Sequence, residues 1–303
     1  MADDIPFDRD FRAEPGIAET VAPGVQRILA PNPGPFTFTG TCTYLIGEDE
    51  LAILDPGPDD PAHVAAVLAA LRGRKVSHIL LTHTHRDHSG ALAALQEATG
   101  APALAEGPHR PARALHLGEV NPLDAAADKA FRPDGMLADG ERIRGAGWCL
   151  EAVATPGHTA NHLAFALEGA GLLFVGDHVM AWATSIVAPP DGAMGDYMAS
   201  LRRLRERPES LYLPGHGGPV RDAPAFVERY LRHREAREAA ILRALGRGPC
   251  TIPEIVRAIY IGLDPRLATA AGLSTLAHLE EMVARGEVAT EGAAAFDGVF
   301  RRA

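Results

Sequence analysis

The stretch Val76-Ser77-His78-Ile79-Leu80-Leu81-Thr82-His83-Thr84-His85-Arg86-Asp87-His88 decides how this chain is read. Its apolar first half has the length and composition of a buried strand. Its second half sets three imidazoles and a carboxylate between positions 83 and 88. Imidazole nitrogen and carboxylate oxygen are ligands that suit zinc and its borderline neighbours. A solvated polar loop after a strand is the plain alternative, and this segment alone does not decide between the two.

Three further segments repeat the pattern. Cys149 to Ala154 reads as a strand and is followed by Thr155-Pro156-Gly157-His158-Thr159. Leu172 to Val175 runs into Gly176-Asp177-His178, and Leu211 to Leu213 into Pro214-Gly215-His216-Gly217. In each, an apolar strand delivers a His or Asp into a glycine-containing turn, the usual way a rigid scaffold presents chemistry on a loop. One such His is most simply a structural or surface residue, but four sites of one kind in one chain are not independent coincidences.

The remaining elements follow from pattern. Val25 to Leu29, Thr43 to Ile46, Leu51 to Leu54 and Leu163 to Leu167 read as strands, and Pro61 to Arg72 and Ala91 to Ala98 as helices. Strands punctuated by helices, with short strands also following one another, give an α/β fold of two mixed sheets covered by helices. From Pro224 the pattern turns helical, as one or two helices up to Gly246. Thr251 and Glu254 have the spacing of a capping box, Leu273 to Arg285 reads as a longer helix, and 287–290 and 295–301 hold two short strands. Helices followed by a hairpin are the elements of a small winged-helix-like domain. The expected division is 1–235 for the first domain and 236–303 for the second.

Composition narrows the function classes. No apolar run approaches the ~18 residues that suggest a transmembrane helix. The acidic start, Met1-Ala2-Asp3-Asp4, has neither the basic and apolar regions of a secretory signal nor the character of a transit peptide, so the expected location is the cytoplasm. Cys42, Cys149 and Cys250 are scattered, form no Cys-x-x-Cys, and read as buried small hydrophobes. The formal net charge is −10. From Arg237 onward the chain has eight Lys/Arg and eight Asp/Glu, so the deficit lies wholly in the part before it. An acidic body argues against tight, nonspecific nucleic-acid binding, which depends on phosphate neutralisation.

The order His83-x-His85-x-Asp87-His88, then His158, Asp177 and His216, resembles the metallo-β-lactamase fold superfamily. Asn32-Pro33-Gly34-Pro35, Gly40 to Gly47, Tyr197 to Leu201 and the tail around Leu276 to Glu280 look like the lactamase-β-like endoribonuclease family and its bacterial relatives with a C-terminal winged helix. The resemblance covers roughly Val25 to Val288 and implies an αββα sandwich of two mixed sheets. It also implies a two-metal site. His83, His85 and His158 would hold one ion, Asp87, His88 and His216 the other, and Asp177 would bridge them. The expected cofactor is two zinc ions, with iron or manganese as alternatives. Asp55 would orient a ligand imidazole from behind, and Asp87 and Asp177 are the residues expected to take part in catalysis. His178 departs from the family pattern and reads as a hydrogen-bond partner of the ligands or a surface residue, ahead of a substrate-contacting group. Residues 109–147 align poorly and are expected to include loops near the mouth.

What the resemblance implies about activity is a metal-dependent hydrolase that uses a metal-bound hydroxide. Low aromatic content and negative charge favour a small thioester, ester or lactone as substrate. The alternative is a single-strand endoribonuclease using the same two metals on RNA. A bridging Asp where several true β-lactamases carry Cys sets β-lactam hydrolysis lower. A metal-sensing DNA-binding protein is lower again, because the longest tail helix offers Arg285 against Glu280 and Glu281. The tail reads instead as a packing or dimerisation element or a lid, and a homodimer is among the assemblies it would support.

Overall fold

The computed structural model describes residues 5–116, 119, 121 and 125–303. The first sheet holds β1 Ala18–Ala22, β2 Val25–Leu29, β3 Cys42–Ile46, β4 Glu50–Leu54, β5 Lys75–Leu80, β6 Ala103–Ala105 and β7 Gly135–Met136, side by side in chain order. β1 to β4 pair antiparallel and β4 to β7 parallel, so the sheet is mixed. The second sheet holds β8 Arg142–Gly145, β9 Trp148–Ala154, β10 Leu163–Leu167, β11 Leu172–Gly176, β12 Leu211–Pro214 and β13 Val220–Arg221, also in chain order. It too is mixed, because β11 and β12 run parallel while the others pair antiparallel.

The helices are α1 Pro61–Leu71, α2 Arg86–Ser89, α3 Leu92–Thr99, α4 Met194–Arg205, α5 Ala223–Leu245, α6 Ile252–Ile259 and α7 Ala268–Ala284. A small third sheet joins β14 Cys250–Thr251, β16 Val299–Arg302 and β15 Val288–Thr290 in that order.

The layers follow from the two-residue side-chain period of a strand. In β4, Ala52 and Leu54 point into the core between the sheets, where they meet Leu163, Phe165 and Phe174. Leu51 and Ile53 point the other way, against Val67 and Leu71 of α1 and Leu95 of α3. In β10, Leu163 and Phe165 face inward, while Ala164 and Ala166 face Tyr197 and Leu201 of α4 and Val227 and Tyr230 of α5. Strands buried on both faces explain why their sequences run apolar without alternation. The result is the expected helix–sheet–sheet–helix sandwich.

α5 serves two cores. Phe226, Val227, Tyr230 and Leu231 pack on the second sheet, whereas Ile241 and Leu245 pack with Ile252, Ile255, Leu276, Leu279 and Phe300 in the C-terminal unit. The division expected at 235–236 falls inside this continuous helix. The capping box forms, with Thr251 N–H and Oγ1–H both donating to Glu254 Oε2 at 2.8 Å.

Of the one or two helices expected up to Gly246 there is one, Ala223–Leu245, because its apolar positions continue unbroken from the second sheet into the C-terminal core. Several expectations need correction. α7 begins at Ala268, earlier than Leu273, and residues 295–296 are not in a strand. The histidine segment is not all loop, since Arg86–Ser89 forms a helical turn with His85 at its N-cap. Cys42 is buried, but Cys149 and Cys250 are half-buried free thiols.

Candidate metal centre

β5, β9, β11 and β12 all end at one rim of the sandwich, and each delivers part of a single cluster. The ligand atoms of His83, His85 and His158 lie within 4.8 Å of one another, as do those of His83, His88 and Asp177, and those of Asp87, His88 and His216. The structure therefore brings together all seven residues that the sequence singles out as ligands. His83 Nε2 and His158 Nε2 stand 3.0 and 3.1 Å from His85 Nδ1. His88 Nε2 and His216 Nε2 are 3.3 Å apart, and His216 Nε2 lies 3.3 Å from Asp87 Oδ2 and 3.2 Å from Asp177 Oδ2. Asp177 sits between the two groups, with Oδ1 3.5 Å from His88 Nε2 and Oδ2 3.8 Å from His158 Nε2.

The outer ring nitrogens show where the protons are. His158 Nδ1 donates to the Ile186 carbonyl at 2.7 Å and His216 Nδ1 to the Gly40 carbonyl at 3.2 Å. His88 Nδ1 donates to Asp55 Oδ2 at 3.0 Å. Thr82 Oγ1 gives its proton to Asp55, so it accepts from His83 Nδ1 at 3.0 Å. A neutral imidazole has one N–H. In the neutral form of these four rings the outer nitrogen keeps the proton and the inner one presents a lone pair to its neighbours and to two carboxylates. On His216 and His88, whose carboxylate neighbours favour the charged ring, a second proton holds that place until an ion displaces it. Such a convergence of buried acceptors is stable only around cations, and the donor set fits zinc-like ions.

Asp55 lies behind His88, on the side of the ring away from the cluster. Besides His88 it accepts from Thr82 N–H at 2.8 Å and Thr82 Oγ1–H at 2.8 Å, tying the end of β4 to the start of the histidine turn. Its backbone is left-handed, with φ of 52°. Two glycines are dictated by crowding. A Cβ on Gly176, itself at φ of 50°, would sit 2.6 Å from His162 Nε2. A Cβ on Gly215 would sit 2.5 Å from Asp177 Oδ1.

Other residues of the site escaped the sequence reading. His162 is buried, takes the Asp177 N–H on Nε2 at 3.3 Å and meets Thr155 Oγ1 through Nδ1 at 2.8 Å. Its spacing from His158 was the available signal. Thr41 Oγ1–H donates to Asp87 Oδ2 at 3.4 Å and is itself held by Asn32. His109 lies 3.0 Å from Thr84 Oγ1 and 3.5 Å from Asp191, beside His85. The 109–147 segment does approach the mouth, where Ala127 bridges His85 and Asp128 N–H donates to the Thr84 carbonyl. Its residues 117, 118, 120 and 122–124 lie outside the described residues. His178 is wholly buried against Tyr197, with ring centroids 4.4 Å apart, which corrects its reading as a surface or hydrogen-bonding residue.

Charge at the site divides by neighbour. Burial pushes His83 well below its ordinary value and His85 down to about 3. Burial also opposes charge on His216, but Asp177 and Asp87 outweigh it and hold the ring at about 9. His88 is likewise raised, against its burial, by Asp87, Asp177 and Asp55. Asp177 is held well below the usual carboxylate range, against its burial, by His216 and His88. Asp87 has the most accessible side chain of the set named in these ion pairs, at 28%. A groove of about 1160 Å³ lies among the turns at 21–24, 46–49 and 146–149, and none of the seven residues lines it.

A donor cluster of this kind at one rim of such a sandwich defines a hydrolase with a centre able to take metal ions. The chain belongs to the metallo-beta-lactamase superfamily, whose model matches residues 36–216. The model of the beta-lactamase associated winged helix domain matches residues 251–296. Lactamase-like protein adaB of Aspergillus niger is 32% identical, over 89% of this chain and 87% of its own. Thioesterase pkgB of Emericella nidulans is 33% identical, over 78% of this chain and 63% of its own. The crystal structure of a metallo-beta-lactamase family protein from Thermus thermophilus superposes with a TM-score of 0.76 at 27% identity, covering 94% of this chain and all of that one. Among the described residues, no helix is long and apolar enough to cross a membrane.

Proposed function

We propose that this protein is a dinuclear metal-dependent hydrolase of small thioesters, with esters and lactones as neighbouring substrates. The observation that carries the metal reading is the set of inward lone pairs fixed by outward hydrogen bonds. The likeness to a protein named a thioesterase supports the bond that is cut. His83, His85 and His158 would hold one ion, Asp87, His88 and His216 the second, and Asp177 both. Zinc suits this set, and iron or manganese could replace it. When bound, the metals supply Lewis acidity toward the carbonyl oxygen and lower the pKa of coordinated water toward ~7.

The chain's own residues supply the rest. Asp177 fixes the two ligand groups relative to one another, and His162 fixes Asp177 through its backbone N–H. The Asp87 carboxylate, on a part-exposed side chain and steadied at Oδ2 by Thr41 Oγ1–H, can take the attacking water's proton. As the C–O bond forms and the C–S bond breaks, that proton passes to the departing thiolate. The C-terminal helix α7 is unsuited to enter a nucleic-acid groove, because residues 271–279 are all buried and Glu280 is paired with Arg113 at 2.6 Å. That packing supports a structural role for the tail.

The test is to incubate the purified protein with a panel of thioesters, esters and lactones and, separately, with labelled single-stranded RNA. Thioester turnover that is lost in Asp177→Ala, with RNA left intact, is expected. RNA cleavage lost in the same variant, without thioester turnover, would overturn the substrate assignment.

A further inference from the structure

Residues 177–190 form neither helix nor strand, yet they supply two groups to the cluster. One is the Asp177 carboxylate, and the other is the Ile186 carbonyl that fixes His158. A buried segment without a backbone ladder must have its polar groups tied by side chains. Ser185 is the junction. Its Oγ–H reaches the Asp177 carbonyl at 2.5 Å and the His178 carbonyl at 3.0 Å, while its own carbonyl accepts from Arg234 Nη2. Tyr230, one helical turn before Arg234 on α5, places its hydroxyl 2.6 Å from the carbonyls of Met180 and Ala183.

Arg234 is 3% exposed, and its guanidinium lies 5.0 Å over the Tyr197 ring. Among the described residues, no carboxylate stands within ion-pair distance of it, and its Nε has no hydrogen-bond partner. A buried cation without a counter-ion is expensive, and here the Ser185 carbonyl and the Tyr197 side chain compensate it. A neutral side chain would fill the space more cheaply, but it would leave the Ser185 carbonyl unpaired.

We propose that Arg234 is a positioning residue for the metal centre. It pins the Ser185–Ile186 peptide, and through it both the Asp177 backbone and the His158 ring. The proposal rests on reading the cluster as a metal site. It makes α5, which also packs in the C-terminal unit, the physical link between that unit and the centre.

The test uses full-length Arg234→Met, Arg234→Lys, Ser185→Ala and Tyr230→Phe. Zinc affinity is read by competition with a chromophoric chelator, ligand geometry by the absorption spectrum of the cobalt-loaded protein, and folding by melting of the chelated protein. Arg234→Met and Ser185→Ala should weaken zinc binding by about 10–100-fold, as loss of a group behind a ligand does, and alter the cobalt spectrum. Arg234→Lys, which keeps one donor, should recover part of the affinity. Tyr230→Phe should lower the melting temperature without moving zinc affinity. Unchanged affinity in Arg234→Met, or an equal loss in Tyr230→Phe, would overturn the proposal. If Arg234→Met does not fold, unchanged affinity in both Arg234→Lys and Ser185→Ala does the same. A wild-type protein that binds no metal would instead overturn the metal reading, and this proposal with it.

Discussion

Asp55→Asn is the substitution that most sharply probes how the cluster is held. Asparagine keeps the shape and tolerates the left-handed backbone at φ of 52°, which alanine would adopt at a cost of about 1–2 kcal/mol. The amide can accept on one edge only. With its oxygen toward Thr82 N–H, its NH2 faces the His88 Nδ1–H, where Asp55 Oδ2 accepts at 3.0 Å. Two donors then oppose each other in a buried place. His88 can escape only by giving up the Nδ1 proton and keeping its one proton on Nε2, the nitrogen that points at His216 from 3.3 Å. That proton must leave again before an ion can bind. A buried hydrogen bond to a charged group contributes about 1.5–3 kcal/mol, so the chelated protein should lose roughly that much stability. Metal affinity should fall about 10–100-fold, or about 1.4–2.7 kcal/mol. Urea unfolding of the chelated protein and chelator competition measure the two quantities. Unchanged metal affinity in a folded variant would refute the account of how His88 is oriented.

Further outcomes follow from the same geometry. Gly215→Ala places a Cβ 2.5 Å from Asp177 Oδ1 and 2.6 Å from His88 Cε1, so it should sharply reduce metal content while the circular dichroism spectrum stays native. His216 is raised from 6.5 to about 9 before any metal binds, so metal binding must displace its proton. Affinity should therefore rise with pH by ~tenfold per unit per proton released and level off above about 9, which isothermal titration in buffers of different ionisation enthalpy would show. A raised histidine pKa stabilises the fold fully below 6.5, and that contribution is lost as pH rises through about 9. On this account the chelated protein should lose the His216 contribution between those values and the metal-loaded protein should not. Leu279→Ala, at a fully buried position of the C-terminal core, should cost about 2–5 kcal/mol in denaturant unfolding without changing metal stoichiometry.

Much of this was legible in the sequence because strands buried on both faces are written as apolar runs, and their ends were marked by His or Asp beside Gly. The short strands β6, β7, β8, β13 and β14 were not, since two to four residues carry no readable period. The edge strand β1, which has no buried residue, was missed for want of an apolar face. α4 is amphipathic but carries Gly195 near its start and three arginines in its last turn, and its segment was noted only as a family likeness. In the site, ligands could be read from residue type and spacing. The groups that hold them could not. His162, Ser185 and Arg234 act through backbone atoms and Thr41 through one side-chain contact with Asp87, forty-six positions away, and such contacts leave no pattern in a single chain.

The central claim is that seven side chains form one two-ion centre bridged by Asp177. The most direct measurement is metal stoichiometry, by titrating chelated wild-type protein and Asp177→Ala with zinc while following thioester hydrolysis. The account predicts two equivalents per wild-type chain, activity that returns with the second, and fewer equivalents with no activity in Asp177→Ala. Two tightly bound equivalents and full hydrolysis in Asp177→Ala would contradict it.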